Sequence, residues 1–85
     1  MSGLASVDQW GPFAPGLAET ERVARLRGLR AILRLCCGDR GRAAEAELRA
    51  AEGDAGRAGD ALAALMRLEP LDRRRVLASY AALAR

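Results

Sequence analysis

Apolar residues recur at steps of three and four along most of the chain after residue 17, which is the spacing of one face of an α-helix. The clearest run places Leu26, Leu29, Leu33 and Cys36 on one face, with Ile32 beside them. Two glutamates open this run, where the helix dipole favours negative charge. We therefore predict a first helix over residues 18–37, with these apolar residues facing a core.

Two Gly-Asp pairs divide the next part of the chain. Residues 33–46 and 48–61 align at an offset of fifteen, and each copy contains Gly-Asp followed by Gly-Arg-Ala. In each copy we expect the glycine to end one helix and the aspartate to cap the next, at Gly38 with Asp39 and at Gly53 with Asp54. This predicts a second helix over residues 41–52 and a third over residues 55–68, which Pro70 stops.

A fourth helix is predicted over residues 71–84, capped by Asp72. Its apolar positions are Val76, Leu77, Tyr80 and Leu83. Those of the third helix are Ala58, Ala61, Leu62, Leu65 and Leu68, whereas the second helix has one large apolar residue, Leu48, flanked by Ala44 and Ala51. Because short turns between helices favour antiparallel neighbours, the predicted fold class is all-α, a small bundle of about four antiparallel helices.

The first sixteen residues break this pattern. Pro12 and Pro15 remove amide donors and disfavour helix in the residue before each, so we predict an extended segment over residues 1–16 and a helical domain over residues 17–85. This segment holds Trp10 and Phe13, two of the three aromatic residues of the chain. They either fold back to complete an alanine-rich core or bind a pocket on another chain.

The basic residues suggest a second kind of partner. The formal net charge is +3, and all 14 basic residues are arginine. Arg27, Arg30 and Arg34 follow one side of the first helix, and Arg73, Arg74 and Arg75 open the fourth, where they are candidate phosphate contacts. The alternative is that these arginines are solvated and paired with the acidic residues interspersed among them.

The side chains available for catalysis are few. The chain has no histidine and no lysine, so it lacks the usual base near neutral pH and an amine for a Schiff base. Its two cysteines, Cys36 and Cys37, are adjacent, which does not suit a zinc site, and we expect them to be buried and inert. We therefore predict that the protein is not an enzyme, and we expect no metal, no cofactor and no small-molecule substrate.

Location follows from what the sequence lacks. No stretch of 18 apolar residues is present, so we expect no membrane-spanning helix. The first residues have neither a basic start nor a continuous apolar run of the kind a signal peptide has. We expect a cytoplasmic protein.

Residues 50–70, AAEGDAGRAGDALAALMRLEP, resemble the second half of a tetratricopeptide repeat. The similarity consists of Gly-Asp at a turn, a following alanine, and an apolar run that ends in Leu-Glu-Pro. The positions of the first half of the repeat fall on Arg42, Glu45, Ala46 and Arg49, which depart from the pattern. Membership would imply a scaffold for peptide binding, but such scaffolds normally need three repeats, and we do not assign the chain to that family.

Two functional hypotheses remain. The first is a small non-catalytic helical adaptor or regulatory subunit that binds another protein and itself, using the first and fourth helices and the candidate partner-binding residues Trp10, Phe13, Arg27, Arg30 and Arg34. The second is a nucleic-acid-binding accessory protein, such as a small transcriptional regulator or a DNA-packaging subunit, that uses the arginine-rich faces of the first and fourth helices.

Overall fold

The computed structural model describes residues 11–84, and this part of the chain is all-α, without strands. The α-helices are α1 (Glu19–Cys37), α2 (Arg42–Gly53), α3 (Ala58–Met66) and α4 (Pro70–Ala84). Single 3-10 turns, Gly38–Gly41 and Ala55–Arg57, lead directly into α2 and α3. Helical residues therefore form three uninterrupted segments, 19–53, 55–66 and 70–84, rather than the four separate helices that the sequence predicted.

The packing order of the helices differs from their order along the chain. α1 packs against both α2 and α4, and α2 packs against α3. α3 and α4 follow each other in sequence but are not one of these main packing pairs. Within the described residues the helices therefore pack in the order α4, α1, α2, α3, with α1 and α2 at the centre.

Leucines from three helices form the centre of the core, as the apolar periodicity predicted. The largest fully buried side chains are Leu26, Leu29, Leu33, Leu48, Leu65 and Val76. Buried alanines, among them Ala44 and Ala51 on α2, let the helix backbones approach closely. Leu48, the one large apolar residue predicted for the second helix, is fully buried, and the two alanines that flank it are also buried.

The end of α1 follows the predicted chemistry. Gly38 has a positive φ of 58°, a conformation that only glycine adopts without strain, and its amide donates to the carbonyl of Arg34. Gly41, in the turn that follows, is buried because its Cα lies against α1: a Cβ there would come within 3.0 Å of Leu33 Cδ1. These two glycines let the chain turn tightly from α1 into α2.

Three of the predicted helix-end roles are wrong. Asp39 lies inside the 3-10 turn, where Arg42 donates to its carboxylate, so it caps no helix. Pro70 does not stop α3, which ends at Met66, but begins α4, where the missing amide of a proline costs no hydrogen bond. Asp72 is consequently in the first turn of α4 rather than at its cap. The predicted cap at Asp54 is confirmed, since its Oδ1 accepts from the amide of Gly56 at 2.9 Å.

Several predicted core positions are also different in the structure. Ala58, Leu62 and Leu77 are half-buried and lie outside the core cluster. Leu83 is 69% exposed because it lies in the last turn of α4, beyond Tyr80, the last core residue of that helix. On α1 it is Cys37 that is buried, while Cys36 is half-buried at the edge of the core.

Candidate interaction surfaces

The aromatic segment folds back in the part that the structure describes. Gly11 and Pro12 are buried, and the Gly11 carbonyl accepts from the amide of Ala14 at 3.1 Å and from Arg25 Nη1 at 3.4 Å. Phe13 is half-buried and packs against the hydrophobic core. Phe13 therefore packs as expected for a side chain that folds back to complete the core. Trp10 lies outside the described residues.

The three arginines predicted along one side of α1 face acidic residues of α2. Glu52 lies between two of them, with its Oε1 at 3.2 Å from Arg27 Nε and its Oε2 at 3.3 Å from Arg30 Nε. Arg34 Nη2 donates to Glu45 Oε2. This ion pair, more than any other charge, lowers the pKa of Glu45 below its ordinary value.

A further arginine, which the sequence did not single out, strengthens the same interface. Arg22 Nη1 donates to the carbonyl of Ala51 at 2.6 Å, near the end of α2, where helix carbonyls lack partners within the helix. The positive charges of Arg22, Arg27 and Arg30 therefore meet the negative end of the α2 dipole. The structure brings this side of α1 against α2 and pairs its arginines with acids.

The second arginine group is divided. Arg73 Nη1 donates to the carbonyl of Met66 at 3.0 Å and so closes the connection between α3 and α4. Arg74 and Arg75 are exposed, and neither makes a hydrogen bond or ion pair with the residues described here. Of the predicted phosphate contacts, these two present guanidinium groups to solvent.

An ion pair that the sequence analysis did not predict joins the first 3-10 turn to α4. Asp72 is 5% exposed and accepts two hydrogen bonds from Arg40, from Nε at 2.8 Å and from Nη2 at 2.9 Å. The contact lowers the pKa of Asp72 and raises that of Arg40. Cys37 lies beside this pair, and burial, followed by the charge of Asp72, raises the pKa of its thiol.

Large apolar side chains are exposed on α1 and α4, the two helices that pack together through their core faces. Leu35 is 87% exposed on α1, and Leu71 and Leu83 are 54% and 69% exposed on α4. The contact between Cys36 Sγ and Ser79 Oγ, at 3.9 Å, marks where the surfaces of the two helices meet. Leu35 precedes this cysteine along α1, and Leu83 follows this serine by one turn along α4. We use the name α1/α4 face for the exposed surfaces of these two helices that carry Leu35 and Leu83.

The outward side of α1 continues this apolar character. Ala24, Gly28 and Ala31 precede Leu35 at helical spacing, opposite the buried leucines, and none of the four is buried. Gly28 has open space where a Cβ would lie, so packing within the described chain does not explain a glycine in the middle of α1. Small residues at such spacing allow another helix to approach closely.

Two other kinds of site are absent from residues 11–84. None of the helices there has both the length and the apolar character needed to cross a bilayer. No group of three or more cysteine or acidic side chains gathers in that range as metal ligands would.

Comparison of the chain with known protein families, with curated proteins and with solved structures finds no match.

Proposed function

We propose that this chain is a small non-catalytic helical protein, an adaptor or regulatory subunit, that acts by protein–protein interaction and associates with itself through the α1/α4 face. In this proposal the helices form one antiparallel bundle, and the protein is located in the cytoplasm. The absence of histidine and lysine from the sequence supports a non-catalytic role.

The observation that carries the proposal is the exposure of Leu35, at 87%, on a helix whose other leucines are 1% exposed or less. Single exposed leucines are common on protein surfaces, but here Leu83 is also exposed, on the helix that packs against α1, and small residues share the outward side of α1 with Leu35. Covering both leucines against a second copy would remove their apolar area from water. Association would also help a chain of 85 residues, whose own core is small.

Sedimentation equilibrium of matched variants tests this proposal. Leu35→Glu and Leu83→Glu each place a charge on the α1/α4 face, whereas Ala63→Glu places the same charge on an exposed position of α3. We expect the unmodified chain and the Ala63→Glu variant to self-associate and both leucine variants to be monomers with unchanged helix content. Equal masses for all four proteins would contradict the proposal.

The nucleic-acid hypothesis remains as a second candidate because Arg74 and Arg75 are exposed and make no ion pair within the described residues. It predicts binding to duplex DNA that weakens steeply with salt, since each phosphate contact releases counterions. Arg74→Glu with Arg75→Glu is the better test than reversal of the α1 arginines, because those hold α2 in place. DNA binding that this double variant does not weaken would remove the hypothesis.

A further inference from the structure

A groove of about 430 Å³ lies on the outer side of α2, next to the end of α1. Three arginines and one glutamate line it over two alanines: Arg34, Arg42, Arg49, Glu45, Ala46 and Ala50. Its walls therefore carry more positive than negative charge, and its volume is within the range of roughly 300–1,000 Å³ of small-molecule sites.

The three guanidinium groups of this groove have unused hydrogen-bonding capacity. Arg49 makes no ion pair or hydrogen bond with any residue that the structure describes. Arg42 pairs with Asp39 at 2.8 Å, but both side chains are exposed, and pairs of that kind contribute little stability, so Arg42 can turn toward a ligand at small cost. Arg34 contacts Glu45 through Nη2, which leaves other N–H groups of its guanidinium available.

The positive charges also converge on one point. Glu45 is the acidic residue of the groove, and Arg30, Arg34 and Arg49 all act on its charge and lower its pKa, with the hydrogen bond from Arg34 as the largest cause. One carboxylate is thus shared among several arginines. An additional anion entering the groove would meet a positive potential that Glu45 only partly neutralises.

We propose that this groove binds a phosphorylated small molecule as a ligand rather than a substrate. Its phosphate oxygens would accept from Arg34, Arg42 and Arg49, and its organic part would rest on Ala46 and Ala50. Guanidinium groups present pairs of N–H donors that match phosphate oxygens, and a phosphate or diphosphate offers enough oxygens for three of them.

A compact ligand fits the charges better than a nucleic-acid backbone does. Of the nearby arginines on α1, Arg27 and Arg30 are held by Glu52. Arg74 and Arg75 lie on α4, which packs on α1 rather than forming a main packing pair with α2. The guanidinium groups that line the groove are therefore grouped around one compact site, while the other exposed arginines of residues 11–84 that make no ion pair, Arg67, Arg74 and Arg75, do not line it.

Calorimetric titration with inorganic pyrophosphate at low ionic strength tests the proposal. The informative pair is Arg49→Gln in the groove and Arg74→Gln on α4, since each removes one positive charge from an exposed side chain that makes no ion pair within the described residues. We expect the Arg49→Gln variant to bind pyrophosphate at least about tenfold more weakly and the Arg74→Gln variant to differ from the unmodified chain by less than twofold. Circular dichroism establishes that both variants are folded.

Three results would overturn the proposal. They are the absence of pyrophosphate binding to the unmodified chain, an equal loss in both variants, and tighter binding of duplex DNA that Arg74→Gln weakens as much as Arg49→Gln does. The third result would show that the basic surface as a whole, rather than the groove, binds phosphate groups. Leu83→Glu separates this site from self-association, because no residue of α4 lines the groove, so this variant should leave pyrophosphate binding unchanged even where it changes the oligomeric state.

Discussion

Arg40 and Asp72 form a two-point ion pair across 32 residues of chain, with two N–H groups of one guanidinium directed at the two oxygens of one carboxylate. The pair joins the turn after α1 to the first turn of α4. It holds the start of α4 near the end of α1, two helices that also pack together through core residues.

This pair predicts a specific pH dependence of stability. The folded-state pKa of Asp72 is lowered by Arg40, so its contribution is fully present above the unfolded pKa, near 4, and is lost as the pH falls through the lower folded value. We expect Asp72→Asn to lower the melting temperature at pH 7, and the difference from the unmodified chain to shrink toward pH 2. Thermal melts at several pH values measure this, and a difference independent of pH would contradict it.

Alanine substitution of two glycines, Gly41 and Gly28, should change the free energy of unfolding in opposite directions. At Gly41 a Cβ meets Leu33 at 3.0 Å and Cys37 Cβ at 3.1 Å, so Gly41→Ala should destabilise the fold by about 1–3 kcal/mol through overpacking. At Gly28, inside α1, the space is open, so Gly28→Ala should stabilise the monomer by about 1 kcal/mol through helix propensity. Urea unfolding of both variants measures the two signs, and the same sign for both would refute this account of the turn.

Phe13 provides a test of the folded-back segment. Truncating a fully buried phenylalanine costs about 3–5 kcal/mol, and Phe13 is half-buried, so Phe13→Ala should cost about 2 kcal/mol of unfolding free energy. Trp10→Ala is the informative comparison, since loss of partner binding without loss of stability would identify the indole as an anchor. A Phe13→Ala variant as stable as the unmodified chain would show that the ring is not part of the core.

The two adjacent cysteines should differ in reactivity. The thiolate is the reactive form, and burial raises the pKa of the Cys37 thiol, whereas Cys36 is half-buried near Ser79. We expect iodoacetamide to modify one thiol quickly in the folded protein and the second only after unfolding. In the Cys36→Ser variant the fast reaction should disappear, and its persistence would assign the accessible thiol to Cys37 instead.

The helical fold could be predicted because its signal is local. Leu26, Leu29 and Leu33 fall on one face by spacing alone, and glycine at position 38 is sufficient to indicate the end of α1. Periodicity does not indicate how far a neighbouring helix extends, which is why Leu83 was expected in the core and is instead exposed.

The candidate surfaces depend on contacts between distant residues, and those were not predictable. The spacing of Arg27, Arg30 and Arg34 predicted that they lie along one side of the first helix. It did not predict that Glu45 and Glu52 of the second helix pair with them. Asp72 was predicted as the cap of the fourth helix, but the partner of its carboxylate, Arg40, is 32 residues away.

Isotope-filtered nuclear Overhauser spectroscopy, on an equal mixture of labelled and unlabelled chains, tests the proposed self-association most directly. It detects protons of one copy that lie within a few ångströms of the other. We predict intermolecular contacts from the methyl groups of Leu35 and Leu83, and none from the exposed methyl of Ala63. Their absence at millimolar concentration, together with a mass in solution that stays at 9.0 kDa, would contradict the account.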